Sequence, residues 1–115
     1  MGAKVAYSSI KGADLDTAIF RESRLDTVDL EGSNLRRSDW RKSRIFTTVF
    51  TKANLEGADF RQAGMFQAEF CKVIFSQTDF TGAELGQCNL TETDLSGTIE
   101  IDTSDSYIDG VRSPW

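Results

Sequence analysis

The sequence is poor in the residues that most often build catalytic and metal sites. It contains no His, which removes the most common general base and the most common metal ligand. It has 2 Cys, and two cysteines cannot form a disulfide-rich scaffold. No segment approaches the roughly 18 consecutive apolar residues of a membrane-spanning helix, so we expect no membrane partner. Residues 1–10 lack the continuous apolar core of a secretory signal, and the predicted location is therefore a reducing cytoplasm.

Positive charge is also scarce. Lys and Arg number 13 against 18 Asp and Glu, giving a net charge of −5. This balance argues against nucleic acid as a direct partner. The sequence contains no Gly-x-Gly-x-x-Gly motif, no phosphate-binding Gly-Lys-Ser/Thr and no nucleophile elbow. We therefore predict that the protein is not an enzyme and holds no metal or cofactor.

The charge is distributed unevenly along the chain. Residues 1–61 contain eleven basic and nine acidic residues, a net charge of +2. Residues 62–115 contain two basic and nine acidic residues, a net charge of −7. An acidic end suits two roles, docking on a basic protein surface that normally holds DNA, or resisting end-to-end stacking with other copies.

A repeat of five residues dominates the sequence. Every position from 5 to 95 whose number is a multiple of five carries a large apolar residue, which makes nineteen positions in all. Two residues before each of these, the side chain is small or compact: eight Ala, five Ser, three Thr, Val28, Val73 and Cys88. The remaining positions carry nearly all the charge. Such a run indicates a repeat architecture with one apolar interior.

Neither regular secondary structure accommodates this period. Steps of five would carry the apolar side chains around all sides of a helix, and on a continuous strand they would alternate between faces. A bend in each repeat restores a common interior, and it falls in the two residues after the apolar centre. Glycines favour this position, since tight turns need a permissive backbone; they are Gly12, Gly32, Gly57, Gly82 and Gly97.

Several repeats match a known unit: Ala13-Asp14-Leu15, Ser33-Asn34-Leu35, Ala53-Asn54-Leu55, Ala58-Asp59-Phe60, Thr78-Asp79-Phe80 and Thr93-Asp94-Leu95. Over residues 3 to about 98 the sequence resembles pentapeptide-repeat proteins. The resemblance implies an all-β fold, a right-handed quadrilateral β-helix in which four pentapeptides form each coil. It implies nearly five such coils, with Phe20, Trp40, Phe60 and Phe80 stacked as one aromatic column.

The period breaks after Gly97, because Glu100 and Asp105 occupy the next two expected centres. We predict a β-helical domain over residues 1–98 and a short irregular segment over residues 99–115. Four apolar residues of this segment have two possible roles, a cap folded across the last coil or a dimer interface: Tyr107, Ile108, Val111 and Trp115. Stacked coils expose pairing edges at their ends, and both roles would cover one.

Two outward features are candidate contact sites. Arg21, Arg41 and Arg61 recur every twenty residues beside a parallel row formed by Asp39, Asp59 and Asp79. The two rows predict either a mutually neutralised charge ladder or a binding stripe. Phe46 and Phe66 share another outward row, with Val49 around the next corner. This apolar pair predicts a protein-contact patch, such as a dimer seam, against the alternatives of a local distortion or cover by the C-terminal tail.

Two functions are compatible with these surfaces. One is a structural interaction module, a rigid β-helical surface offered to a protein partner of unknown identity. The other follows from the resemblance: some pentapeptide-repeat proteins are DNA mimics that bind DNA gyrase and confer resistance to quinolones or related toxins. DNA gyrase is therefore the one named candidate partner. The sequence leaves open whether the protein is a monomer or a homodimer.

Overall fold

The computed structural model describes residues 3–106, and within them the chain forms seven short strands and no helix. The strands are β1 (Lys4–Ala6), β2 (Arg24–Asp26), β3 (Arg44–Phe46), β4 (Gly64–Phe66), β5 (Thr78–Asp79), β6 (Glu84–Gly86) and β7 (Thr98–Ile99). One parallel sheet has the order β1-β2-β3-β4-β6, and a second joins β5 to β7. Because every paired residue lies twenty positions from its partner, four pentapeptides form one coil.

The coil has four faces, which we number in chain order by their central inward residues. The first face is centred on Val5, Leu25, Ile45, Met65 and Leu85, the second on Ile10, Leu30, Phe50, Phe70 and Leu90, the third on Leu15, Leu35, Leu55, Phe75 and Leu95, and the fourth on Phe20, Trp40, Phe60 and Phe80. Isolated parallel bridges join successive coils on the last three faces, as between Ser9 and Asp29 or Asp14 and Asn34. The predicted four-sided β-helix is confirmed.

The interior contains the residues that the five-residue period assigns to it. All central residues from Leu25 to Leu95 are buried, and so are most of the small residues two positions earlier. The predicted aromatic column is present, with stacked rings whose centroids lie 4.1 Å apart for Phe20 and Trp40 and 5.1 Å apart for Phe60 and Phe80. Val5, Ile10, Leu15 and Phe20 are only partly buried, because they belong to the terminal coil.

The corners of the coil adopt a left-handed backbone conformation almost throughout. Gly12, Gly32, Gly57 and Gly82 have φ between 64° and 73°, as the turn prediction requires. Among residues 3–106, fifteen residues other than glycine also have positive φ, including Arg37 at 56°. The amide of Arg37 donates to the carbonyl of Glu56 in the next coil at 2.8 Å. Pairing between coils therefore imposes the corner conformation on whichever residue is there, at a cost that glycine avoids.

Gly97 lies in a turn, as predicted, but it does not share the left-handed conformation of the other four glycines. Its backbone lies outside the left-handed region. A Cβ at this position would clash with the carbonyl oxygen of Phe75 in the preceding coil. Glycine is required in this turn by the close approach of two backbones rather than by a positive φ.

The coil continues beyond the break in the period, with a shift of one residue. Thr98 and Ile99 still pair in register with Thr78 and Asp79. Glu100 is exposed, and Ile101 occupies the interior beside it with 6% of its surface exposed. Coil-like order therefore extends past residue 98, and the proposed division at that residue stays a prediction. Four predicted contact residues lie outside the described part of the chain: Tyr107, Ile108, Val111 and Trp115.

Candidate protein-contact surfaces

The predicted rows of arginine and aspartate form a ladder of ion pairs on the fourth face. The guanidinium of Arg41 donates to both carboxylate oxygens of Asp39, at 3.0 Å from Nε and 2.8 Å from Nη2. Arg61 repeats the arrangement one coil later, with Nε 2.9 Å and Nη2 2.6 Å from the carboxylate oxygens of Asp59. Bidentate pairs of this kind are the strongest exposed ion pairs that side chains form.

Cross-coil contacts join these pairs into a continuous ladder. Ile19 stands where the pattern would place an aspartate for Arg21, and Arg21 instead contacts Asp39 in the next coil at 3.3 Å. Arg41 likewise approaches Asp59, with Nε 3.7 Å from Oδ2. Asp39 and Asp59 thus each lie between two arginines and form an ion pair with both of them.

The ladder lowers the pKa of its carboxyl groups. Hydrogen bonds from Arg41 hold the pKa of Asp39 below its ordinary value, against the opposing effect of burial. Burial raises the pKa of Asp59, but the bonds and charge of Arg61 outweigh it and the pKa is lowered. The ladder that the sequence predicted as one alternative is present, and the binding stripe of Arg21, Arg41 and Arg61 stays a prediction.

The two outward phenylalanines form an apolar patch on the first face, which we call the Phe patch. Phe46 and Phe66 are in-register partners on β3 and β4. Phe66 has 42% of its surface exposed, while Phe46 is half-buried beneath Arg24, whose guanidinium carbon lies 4.4 Å from the ring centroid. A Cβ added to Gly86 would lie 3.0 Å from the Phe66 ring, so Gly86 leaves the space that this ring uses.

A groove of about 450 Å³ runs beside the Phe patch. The backbone of Gly64 forms part of its floor, between the charged side chains of Arg44 and Glu84 on the neighbouring strands. Lys42 and Gln62 line its corner side. The groove therefore combines an aromatic wall with charges of both signs.

Val49 lies on the second face, apart from the Phe patch. It bridges to Asp29 and Glu69 in the adjacent coils and is partly buried. It lines a separate depression with Gln67 and Asn89, among others. The structure thus places Val49 around the corner, as expected, but does not bring it into the groove.

Four large apolar side chains were missed by the sequence analysis. Tyr7 is 79% exposed, Ile19 70%, Ile74 54% and Ile99 44%. Ile19 and Ile99 occupy the two ends of the row that contains the ladder aspartates, and Ile74 follows two asparagines on the third face. A check of the position just before each multiple of five would have found the three isoleucines. In each case the flanking residue of the same row is polar.

The two cysteines are free thiols. Cys71 lies outward and half-buried, with its sulfur 3.1 Å from the hydroxyl of Thr91. Cys88 is buried among the small inward residues. Burial raises the pKa of the Cys88 thiol to about 11. The Cys88 thiol is therefore not activated for nucleophilic chemistry.

The described residues contain neither a cluster of metal-ligating side chains nor a membrane-spanning helix. Within residues 3–106, no group of three or more Cys, Asp or Glu side chains is placed to hold a metal ion. No helix of sufficient length and apolarity to cross a membrane occurs in the same part of the chain.

The model of a protein family described as pentapeptide repeats matches the sequence in eight copies, over residues 1–37, 47–65 and 66–98. The chain belongs to the pentapeptide repeat family. This membership agrees with the five-residue period, the short parallel strands and the twenty-residue coil. No curated protein is significantly similar to the chain in sequence.

Solved structures of other pentapeptide repeat proteins resemble this one. A protein from Nostoc PCC 7120 is 19% identical with a TM-score of 0.50, and the match covers 90% of this chain and 83% of that one. A protein from the Arabidopsis thaliana thylakoid lumen is 18% identical with a TM-score of 0.48, covering 77% and 63%. Trypsin-treated QnrB1, a plasmid-mediated fluoroquinolone resistance protein, is 14% identical with a TM-score of 0.49, covering 95% and 81%. The likeness to the Nostoc protein is evidence for a common fold and for nothing beyond the fold.

Proposed function

We propose that this pentapeptide repeat protein is a non-enzymatic interaction module that binds a protein partner through the Phe patch. The observation that carries the proposal is the in-register pairing of Phe46 with Phe66 on an outward row. Outward positions of the coil are otherwise mostly polar, and within residues 3–106 no other two exposed large apolar residues are direct partners on adjacent coils. Adjacent exposed aromatic side chains on a rigid sheet are typical of contact surfaces.

The rigid coil supports this role, because the backbone beneath the Phe patch is fixed on both sides. The amide of Thr47 donates to the carbonyl of Phe66 at 2.9 Å, and that of Gln67 donates to Gly86 at 2.9 Å. A surface held in this way loses little conformational entropy when a partner binds. Removal of the patch should therefore weaken binding without altering the fold.

The test compares two surface variants. The double variant F46S/F66S removes the Phe patch, and I74S removes a similarly exposed apolar side chain from the third face. Each immobilised protein is incubated with lysate of the source organism, and retained proteins are identified by mass spectrometry. We expect a partner retained by the parent and I74S and lost from F46S/F66S. Equal retention by all three proteins, or loss from I74S as well, would overturn the proposal.

A second copy of the chain is one candidate for the partner that binds the Phe patch. Light scattering of the parent and of F46S/F66S measures this directly. A dimer that F46S/F66S converts to a monomer identifies the Phe patch as a seam between copies. A dimer that persists in F46S/F66S rules out that seam.

The acidic C-terminal part of the coil favours one further candidate, a DNA mimic that inhibits or protects DNA gyrase. Residues 83–106 contain six acidic residues and no basic residue: Glu84, Glu92, Asp94, Glu100, Asp102 and Asp105. Such a surface complements a basic groove that normally holds DNA. The test is supercoiling by purified gyrase, with and without quinolone, at stoichiometric protein. A folded protein that changes neither reaction excludes this function.

A further inference from the structure

Three basic side chains are stacked in register on the first face, and we call them the basic row. Lys4 pairs with Arg24 between β1 and β2, and Arg24 pairs with Arg44 between β2 and β3. All three residues are exposed. Paired strands lie about 4.8 Å apart, and like charges directly opposite one another are unfavourable at that distance.

The basic row is not neutralised in the way that other arginines of the protein are. Arg36 contacts Glu56 at 3.1 Å, Arg37 contacts Asp16 at 3.2 Å, and the arginines of the fourth face form the ladder. Within residues 3–106, neither Lys4 nor Arg44 forms an ion pair, and Arg24 contacts the ring of Phe46 instead. Arg44 is thus the one arginine of the described chain with neither a carboxylate nor an aromatic partner.

Gly64 follows the basic row on the next strand and has no structural reason to be glycine. Its backbone lies outside the left-handed region, and a Cβ built there meets no atom within 4 Å. Gly86, by contrast, makes room for the Phe66 ring. The missing side chain at Gly64 leaves an open notch that exposes one side of Arg44 beside the Phe patch.

We propose that the basic row, the notch at Gly64 and the Phe patch together recognise an acidic segment of a protein partner that carries an apolar or aromatic side chain. Carboxylates of the segment would neutralise Arg44 and its neighbours, and the apolar side chain would lie in the notch against Phe66. Arg44 offers the planar donor pair that suits a carboxylate. This inference rests on the proposed function and names the chemistry of the partner.

The charge of the whole protein favours a carboxylate segment over nucleic acid. The net charge is −5, and residues 62–115 carry −7. Such a field repels the long phosphate backbone of a nucleic acid. A short acidic segment places its carboxylates on the basic row and its apolar side chain in the notch, where Glu84 is the one acidic residue of the groove lining. The exposed ring of Phe66 adds an apolar contact that phosphates do not satisfy.

The experiment uses a blocked hexapeptide with the sequence Glu-Glu-Phe-Glu-Leu-Glu, a second peptide in which Lys replaces every Glu, and a thymidine dodecanucleotide. Each probe is titrated to millimolar concentration into isotope-labelled full-length protein, and amide shifts are followed by NMR. We expect saturable shifts on the first face with the acidic peptide alone. Shifts that are absent, equal with the lysine peptide, or larger with the oligonucleotide would overturn the inference.

Two variants locate the binding site. R44Q should weaken the acidic peptide about tenfold, the effect of losing one charge-assisted pair, whereas R61Q on the fourth face should leave its affinity unchanged. G64L should retain the fold, because the space is open, and should lose binding by filling the notch. Equal effects of R44Q and R61Q would exclude the basic row as the binding site. If the lysate partner binds R44Q as well as the parent while F46S/F66S loses it, the proposed function stands and the inference fails.

Discussion

The indole Nε1 of Trp40 donates a hydrogen bond of 2.7 Å to the hydroxyl of Ser38 inside the coil. The same hydroxyl donates onward to the carbonyl of Leu35 at 2.7 Å, and both side chains are buried. Ser38, the small residue of its repeat, thus accepts the hydrogen bond of the indole N–H, which is the one polar group of the Trp40 side chain. In the other coils the same column carries Phe, which has no such group.

Replacement of Ser38 by Ala leaves the Trp40 indole without an acceptor in the core. We expect S38A to lower the free energy of unfolding by about 1–3 kcal/mol, the usual cost of a buried unpaired donor. Urea denaturation measures the loss. In a W40F background the same substitution should cost less, because the donor is gone. An equal cost in both backgrounds would contradict this role of Ser38.

Inward and outward phenylalanines should differ sharply in their contribution to stability. Phe60 is fully buried and stacked between two aromatic rings, so F60A should lower the free energy of unfolding by about 3–5 kcal/mol. Phe66 is 42% exposed, and F66A should cost about 1 kcal/mol or less. Thermal denaturation of both variants measures the difference. A melting temperature of F60A equal to that of the parent would refute the assignment of Phe60 to the core.

Gly64 and Gly97, which both lack the left-handed conformation, should respond in opposite ways to alanine. G97A forces a Cβ against the carbonyl of Phe75, and we expect a loss of at least about 2 kcal/mol in the free energy of unfolding. G64A enters open space on an ordinary backbone and should be neutral or stabilising by about 0.5 kcal/mol. Urea midpoints of the two variants provide the comparison. A G97A variant as stable as G64A would show that the two backbones do not approach so closely.

The pKa of Asp39 predicts how the ladder responds to acid. Arg41 holds this pKa below its ordinary value, so the stabilisation is fully present above the pKa of the unfolded chain, about 4. It is lost as the pH falls through the lower folded value. D39N should therefore be less stable than the parent at pH 7, by about 1 kcal/mol. The two proteins should converge in urea midpoint at low pH.

The partner of Asp39 supplies the control for this titration. In R41Q the main cause of the lowered pKa is removed, and the carboxyl carbon of Asp39 should titrate at a higher pH by NMR. An unchanged Asp39 pKa in R41Q would show that the ladder does not act through this pair.

The two cysteines should differ in reactivity. Burial raises the pKa of Cys88 to about 11, so almost no thiolate is present at pH 8 and the sulfur is inaccessible. Iodoacetamide should label Cys71 in the native protein, and both cysteines only after denaturation. Mass spectrometry of tryptic peptides reads the outcome, with C71S as the control. Labelling of native C71S at the rate of the parent would place Cys88 outside the core.

The five-residue period was sufficient to predict the core, because side-chain size alone decides which positions point inward. It was less informative about close backbone contacts. Gly97 looks like any corner glycine in the sequence, and only the three-dimensional path brings Phe75 against it. In the sequence, Glu100 shows only that the period is interrupted. The sequence did not predict that Ile101, one residue later, takes the inward position.

The surface was predictable in its rows but not in its pairings. The spacing of Phe46 and Phe66 indicated adjacent strands, and the structure places them there. The arginines of the fourth face looked like the candidate stripe because their period was conspicuous. A period does not encode the side-chain geometry that decides which arginine has a carboxylate within reach. The sequence therefore did not single out Arg44, which has none within residues 3–106.

The core and the outer faces constrain the length of the gene differently. Any multiple of five codons preserves an apolar centre in every repeat, so the interior tolerates the loss or gain of a single pentapeptide. The outer rows return to the same side only after twenty residues. Deleting one repeat between Phe46 and Phe66 would rotate all later coils by a quarter turn and place the two rings on different sides. Duplications of whole turns are therefore the length changes through which these surfaces survive.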